Sequence, residues 1–324
     1  MSLAHWPDPR RAAEAQAWAR DVARGAGQAP TGEIELVHLR PWSAVYRIPT
    51  PSSVLYLKLC HAMQSHEPAL TQLVSREFPS LSPPLLARHP TEPWMLMGDG
   101  GVRLREALSG TALLDAWARL LPRYAELQRA LVGHEAELRA TGAPDRRLER
   151  LPDLLRRILD DERSAPADVR REVRALLPAI VRTCAELVAS GIGPSLDHAD
   201  LHQHNVLVRD GRAAIFDWGD AGVTHPFLSL TVTLSFAAQA AGLAVDAPAV
   251  LRLRDAYLEP WTAFEPRPAL ERAADLAVAL GTIPGTLVWH RITTEIEGVR
   301  EGSPEEMATI LGRVCAAIER LGPA

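Results

Sequence analysis

The sequence predicts an α+β protein, with a small antiparallel β-sheet and a helix in the N-terminal third and a larger, mainly helical remainder. Three observations predict it. Short β-type runs separated by proline and serine occupy residues 34–59, whereas from residue 111 onward leucine and alanine recur at helical spacing. Between these regions Gly98-Asp99-Gly100-Gly101 places three glycines in four positions, which permits a sharp change of chain direction. The expected division is 1–98 and 99–324.

The elements follow in order. Residues 9–24 are alanine-rich and helical, ending at Gly25-Ala26-Gly27. Ile34 to Leu39, Ala44 to Ile48 and Ser53 to Leu59 read as strands of a twisted meander, the last two separated by Pro49-Thr50-Pro51-Ser52. A helix is expected from Glu67 to Glu77, then Pro83-Pro84, then two short strands ending at Met95-Leu96-Met97. Helices are expected at 111–140, 147–161, 168–189, 227–241 and 247–258, with others at 268–281, 285–298 and 304–321. One polar stretch, 195–230, interrupts them.

The 324 residues carry 35 Lys plus Arg against 40 Asp plus Glu, a formal net charge of -5. Without a basic excess or a Lys/Arg block, the chain has no concentrated positive surface for nucleic acid. No apolar run reaches the roughly 18–20 residues of a membrane span, and Met-Ser-Leu-Ala-His-Trp-Pro-Asp at the start lacks the apolar core of a signal peptide. The expectation is a cytoplasmic protein with no membrane partner. Cys60, Cys184 and Cys315 are too scattered for a disulfide framework or a Cys-x-x-Cys zinc site, so buried thiols are expected. Of the 35 basic residues only Lys58 is a lysine, and with Leu57 before it and Leu59 after it no Walker A loop is present.

Chemistry concentrates in 195–230. Val206-Leu207-Val208 and Ala213-Ala214-Ile215-Phe216 are short apolar strands, and Asp210-Gly211 between them signals a hairpin turn. Asp200 and Asn205 precede the first strand and Asp217 follows the second, so a hairpin makes the two ends neighbours. Phosphoryl transfer from a nucleotide needs hard oxygen ligands for Mg²⁺, a role that suits Asn205 and Asp217. It also needs a carboxylate that orients an attacking hydroxyl, and Asp200 suits that role. Loop capping is the alternative for each residue singly.

The run His198-Ala199-Asp200-Leu201-His202-Gln203-His204-Asn205, followed by Ile215-Phe216-Asp217-Trp218, resembles the paired motifs of the aminoglycoside phosphotransferase and choline kinase-like family. That resemblance implies a bilobal protein-kinase-like fold, with ATP and Mg²⁺ as cofactors. It implies Asp200 as catalytic base, Asn205 and Asp217 as metal ligands, and His198 as a brace for the loop. Two departures stand out: Ala199 replaces the usual glycine, and Ser229 stands where the family commonly has an aspartate.

The same resemblance requires nucleotide clamps in a set order within the first hundred residues. The hairpin position falls at 40–47, where backbone amides of Ser43 and Ala44 are candidates to meet phosphate. Lys58 comes next; alternation puts its side chain on the face opposite Leu57 and Leu59. A compact ammonium suits the space between phosphates and a carboxylate, where a guanidinium is not interchangeable. Glu67 is its partner by the family pattern, with Glu77 as the alternative, and Pro68 suits a first helical turn. Met95 to Asp99 resembles the family hinge, with Met97 and Asp99 as adenine-binding positions.

The expected reaction is transfer of the ATP γ-phosphate to a hydroxyl of a small molecule. Choline kinases, homoserine kinases and antibiotic kinases share these motifs, so the acceptor stays open. Candidate pocket residues are Asp220, Glu259, Trp261, Trp289, His290 and Glu295, because aromatic faces and carboxylates suit cationic or sugar-like ligands. Ordinary surface or core places are the alternative for all six. Two other readings are a metal-dependent hydrolase, in which His198, His202, His204 and Asp200 form a metal cluster, and a nucleotide-binding protein without catalysis.

Overall fold

Asp8 and Pro9 start the first helix, because the Asp8 carboxylate accepts hydrogen bonds from the amides of Arg10 and Arg11 and proline suits the first turn. In the computed structural model residues 6–296, 299 and 303–321 are described. The N-terminal region forms α1 (Pro9–Gly25), β1 (Glu35–Arg40), β2 (Ser43–Pro49), β3 (Val54–Cys60), α2 (Glu67–Glu77), β4 (Leu85–Arg88), β5 (Trp94–Gly98) and β6 (Val102–Arg103). Helices α3 (Leu104–Ala107), α4 (Gly110–Ala130), α5 (Glu135–Ala140), α6 (Leu151–Asp160) and α7 (Ala167–Val188) come next. Four short strands follow: β7 (Ser195–Asp197), β8 (Val206–Arg209), β9 (Arg212–Ile215) and β10 (Gly222–Thr224). The chain ends with α8 (Ser229–Ala241), α9 (Pro248–Leu258), α10 (Arg267–Leu280), α11 (Ile283–Glu295) and α12 (Pro304–Arg320).

Two compact units divide these elements. A sheet unit holds the described residues up to Val102, Val206–Gly219 and the segment from Arg291; a helical unit holds Arg103–Asn205, Asp220–His290 and α12. The sequence expectation was one contiguous boundary at 98/99, whereas here the β8–β9 hairpin groups with the N-terminal sheet.

In the sheet unit five antiparallel strands lie in the order β1-β2-β3-β5-β4. Ala44, Tyr46, Ile48, Leu55, Leu57 and Leu59 bury one face against Ala12, Ala15, Ala19 and Ala23 of α1. Alanine at that spacing gives the helix one smooth stripe, which lets it sit close on the pleat. Lys58, being one residue out of phase with Leu57 and Leu59, leaves by the other face. The β8–β9 hairpin closes through Asp210 and Gly211, both at positive φ (50° and 74°), as a two-residue primed turn requires. Gly101 has φ +106°, and a Cβ there would lie 2.2 Å from the Val208 carbonyl oxygen, so this crossing admits only glycine.

The helical unit differs from expectation in several places, the short α3 among them. The helix predicted over 111–140 divides into α4 and α5, because Gly133 takes a left-handed φ of +85° that ends helical hydrogen bonding. The antiparallel pair β7–β10 was not expected, since three-residue strands are too short to show an alternation. Directly after β10, His225 caps a short turn by accepting the Phe227 amide at its Nδ1.

Burial pushes the His225 pKa down to about 3. Its unfolded value lies near 6.5, so the unfolded chain binds the extra proton first. Stability from this residue is present above pH 6.5 and is lost as pH falls toward 3, by a few kcal/mol in order of magnitude. Urea unfolding at pH 7, 5 and 4 checks this: His225→Asn, whose side chain keeps a cap acceptor, gives a shallower fall in midpoint than the parent chain.

Candidate active site

In the sheet unit three ionisable side chains meet on the face of β3 away from α1. Lys58 Nζ donates to Glu67 Oε1 at 2.6 Å and to Asp217 Oδ1 at 2.5 Å. Glu67 is fully buried and Lys58 nearly so, whereas the Asp217 side chain is 41% exposed. Glu67 sits at the first turn of α2, where the helix dipole favours a carboxylate. Its second oxygen accepts a hydrogen bond from the Cys60 thiol at 3.2 Å. Glu77, the other candidate partner, is exposed and pairs with Arg76.

Burial opposes the charge on Lys58, but Asp217 and Glu67 outweigh it and hold the ammonium above its ordinary pKa. Burial likewise pushes the Glu67 carboxyl up, against the pull of Lys58. Such a cluster is weak evidence for stability, since desolvating three charges offsets their attraction. It leaves one exposed carboxylate, Asp217, beside a buried ammonium. Asp217 reaches its place through a left-handed φ of 66°, which aspartate tolerates better than most residues.

In the helical unit the catalytic-loop candidates meet around Asp200. Asn205 Nδ2 donates to both the carbonyl oxygen and Oδ2 of Asp200, each at 2.8 Å. With its amide nitrogen engaged, Asn205 keeps its Oδ1 as a hard oxygen acceptor, the donor type Mg²⁺ takes. The ring of His202 packs against Phe236, its Nδ1 accepts from the His204 amide, and its Nε2 lies 3.3 Å from Asp200 Oδ1. His204 Nε2 instead accepts from Arg105 Nη1 at 2.9 Å. Burial, then His202, Arg105 and Arg103, lower the His204 pKa and favour its neutral form.

These histidines do not assemble as a metal cluster. His198 is fully buried in the loop, His202 faces Asp200 and His204 faces Arg105. Among the described residues no group of three or more His, Cys, Asp or Glu side chains is arranged to hold a metal. The hydrolase alternative fails on that geometry.

Loop residues before Asp200 are held by side chains that the sequence did not single out. Ala199 has φ 61°, a conformation that costs of order 1 kcal/mol for a residue with a Cβ and that a glycine would take freely. Its amide donates to Asp197 Oδ1 at 3.0 Å, and the His198 amide donates to the Tyr124 hydroxyl at 3.1 Å. Gln128 donates to the Leu196 and Pro226 carbonyls and accepts from the Tyr257 hydroxyl. An aspartate ending the buried run Ser-Leu-Asp was the available signal for this network.

The remaining candidates occupy varied places. Ser43 and Ala44 are buried in β2 with partners on both β1 and β3, which commits their backbones to the ladder rather than to a free loop. Met97 is a buried β5 residue between β3 and β4. Asp99 accepts from the Gly101 amide and pairs with Arg209. Trp261 is corrected from pocket to core: it is fully buried against Phe227 and Tyr257, because a large aromatic beside an apolar helix end gains most by leaving water. Glu259 and Glu295 are exposed carboxylates that pair with Arg267 and Arg291. His290 pairs with Asp161 at 3.1 Å, Trp289 is half-buried on α11, and the Asp220 carbonyl accepts from Arg146.

The sequence profile of the phosphotransferase enzyme family, the one that includes the aminoglycoside phosphotransferases, matches residues 42–270. The chain belongs to that family. No curated protein matches it by sequence. Solved structures with the same protein-kinase-like fold include a choline/ethanolamine kinase family protein from Mesorhizobium loti, 18% identical, TM-score 0.61, covering 96% of this chain and 99% of the other. A choline kinase from Streptococcus pneumoniae is 11% identical, TM-score 0.63, covering 93% and 98%. A macrolide 2′-phosphotransferase from Brachybacterium faecium is 21% identical, TM-score 0.57, covering 90% and 97%. Identities this low show the fold of the phosphotransferase and not its acceptor. No helix among the described residues is long and apolar enough to cross a membrane.

Proposed function

We propose that this phosphotransferase is a cytoplasmic small-molecule kinase that moves the γ-phosphate of ATP to a hydroxyl of its acceptor. One observation carries the reading: the only lysine of the chain is buried with its ammonium held between the carboxylates of Glu67 and Asp217. In this reading Lys58 binds the α- and β-phosphates while Glu67 fixes the direction of its ammonium. Asp200 accepts a hydrogen bond from the acceptor hydroxyl and orients its lone pair toward phosphorus. Asn205 keeps the Asp200 carboxylate from turning away, and Asn205 and Asp217 are the residues that would each offer an oxygen to Mg²⁺. When bound, Mg²⁺ supplies positive charge against the phosphate oxygens. Met97 and Asp99 are proposed as the adenine-facing segment.

Glu259 and Glu295 pair with Arg267 and Arg291 at the surface, and no charge preference is proposed for the acceptor. The test is a transfer screen with γ-labelled ATP and Mg²⁺ over aminoglycosides, macrolides, choline, ethanolamine, homoserine and sugars. Labelled product from at least one acceptor is expected. A chain that gives no Mg²⁺-dependent ATP binding by thermal shift would overturn the reading, and binding without transfer to any acceptor or to water would favour a nucleotide-binding protein.

A further inference from the structure

Ser229 stands where this family commonly carries an aspartate at the start of a helix, and the structure shows what replaces that carboxylate. Asp197, at the end of β7, is 1% exposed and accepts from the Ala199 amide and from the Ser229 hydroxyl. The Ser229 hydroxyl gives its one proton to Asp197, so its contact with the Tyr124 hydroxyl, 2.9 Å away, is left for Tyr124 to donate. Tyr124 in turn accepts from the His198 amide and from Gln128 Nε2. Both amides immediately before Asp200 are therefore held by side chains of one buried chain of hydrogen bonds. Ala199, at its positive φ, sits inside that grip.

We propose that Asp197 is a positioning residue for the catalytic loop, supplying from the β7 side the anchoring carboxylate that Ser229 does not have. Asp197 takes the Ala199 amide and the Ser229 hydroxyl on the same oxygen. An oxygen introduced at position 229 extends toward the place that Asp197 Oδ1 now holds, because the two side chains already touch. The pair is thus interchangeable in principle: Asp197→Ser removes the anchor, and Ser229→Asp added to it returns a carboxylate to the Ala199 amide from the opposite side. The catalytic consequence rests on the kinase reading; the anchoring itself does not.

The experiment has two arms on the full chain. Amide hydrogen exchange over residues 198–200 reads the anchor, and Mg²⁺-dependent ATP turnover to water, with the ATP Kd, reads its effect on Asp200. Asp197→Ser is expected to speed exchange at His198 and Ala199 by about tenfold or more and to lower turnover about 10²-fold, with the ATP Kd within about twofold. The double variant Asp197→Ser/Ser229→Asp is expected to return both readouts to within about threefold of the parent. Asp197→Asn, whose amide oxygen still accepts from both donors, stays near the parent in each. Should Asp197→Ser fail to fold, Ser229→Ala serves the exchange arm, with several-fold faster exchange at Ala199 expected. Unchanged exchange in these variants, or a double variant no better than the single one, overturns the proposal. A parent chain that neither binds nor hydrolyses ATP refutes the kinase reading instead, and the exchange arm then still decides the anchor.

Discussion

Asp200→Asn lowers phosphoryl transfer by about 10³-fold while leaving the ATP Kd within about threefold of the parent. The carboxylate takes Asn205 Nδ2 on Oδ2 and lies near His202 Nε2 on Oδ1, so both of its oxygens are set by donors. An amide in that place must present an N–H either to one of those donors or to the incoming hydroxyl. Either choice removes the acceptor that orients the nucleophile. Lys58, Glu67 and Asp217 are untouched, so nucleotide binding persists and the loss falls on kcat. Single-turnover transfer with labelled ATP, on whichever acceptor the screen finds, separates the two; retained turnover removes Asp200 from the base role.

Lys58→Met destabilises the chain by about 3–5 kcal/mol and abolishes measurable ATP binding. Removing the ammonium leaves Glu67, fully buried, with the Cys60 thiol as its one hydrogen-bond donor among the described residues. Burial then raises the Glu67 pKa without opposition from Lys58. A carboxyl whose folded pKa lies above its unfolded value contributes fully below the unfolded value, near 4.5, and loses that contribution as pH rises through the folded one. The variant is therefore relatively more stable in mild acid than at neutral pH, and Lys58→Met/Glu67→Gln removes that dependence. Thermal unfolding from pH 5 to 8 checks both. Lys58→Arg lowers ATP affinity and turnover by at least about tenfold, because a planar guanidinium cannot satisfy two carboxylates and a phosphate in that space; unchanged values would mean the lone lysine is incidental.

Much of the fold was legible because its signals are local. The alanine stripe of α1, the alternation along β2 and β3 and the Asp210-Gly211 turn each depend on a few neighbouring residues, and each appears near where the pattern put it. The long helix over 111–140 misled because its apolar spacing continues through Gly133, and only backbone conformation reveals the break. Acceptor-pocket residues were the least legible. Aromatic and acidic residue types cannot say whether a helix turns them toward a ligand, a core or an arginine, and Trp261, Glu259 and Glu295 went to core and arginines.

By itself the sequence determined the residue types that the proposed chemistry calls for and their order along the chain: Lys58, Glu67, Asp200, Asn205 and Asp217. Tertiary structure decided which atoms they meet. That Lys58 bridges Glu67 and Asp217, 159 positions away, and that Asp197 and Ser229 share one proton-donating contact across 32 positions, are matters of sheet and loop placement. The reason is physical. A strand or turn is set by the torsional preferences of adjacent residues, whereas a buried charge is set by whichever distant partner satisfies it.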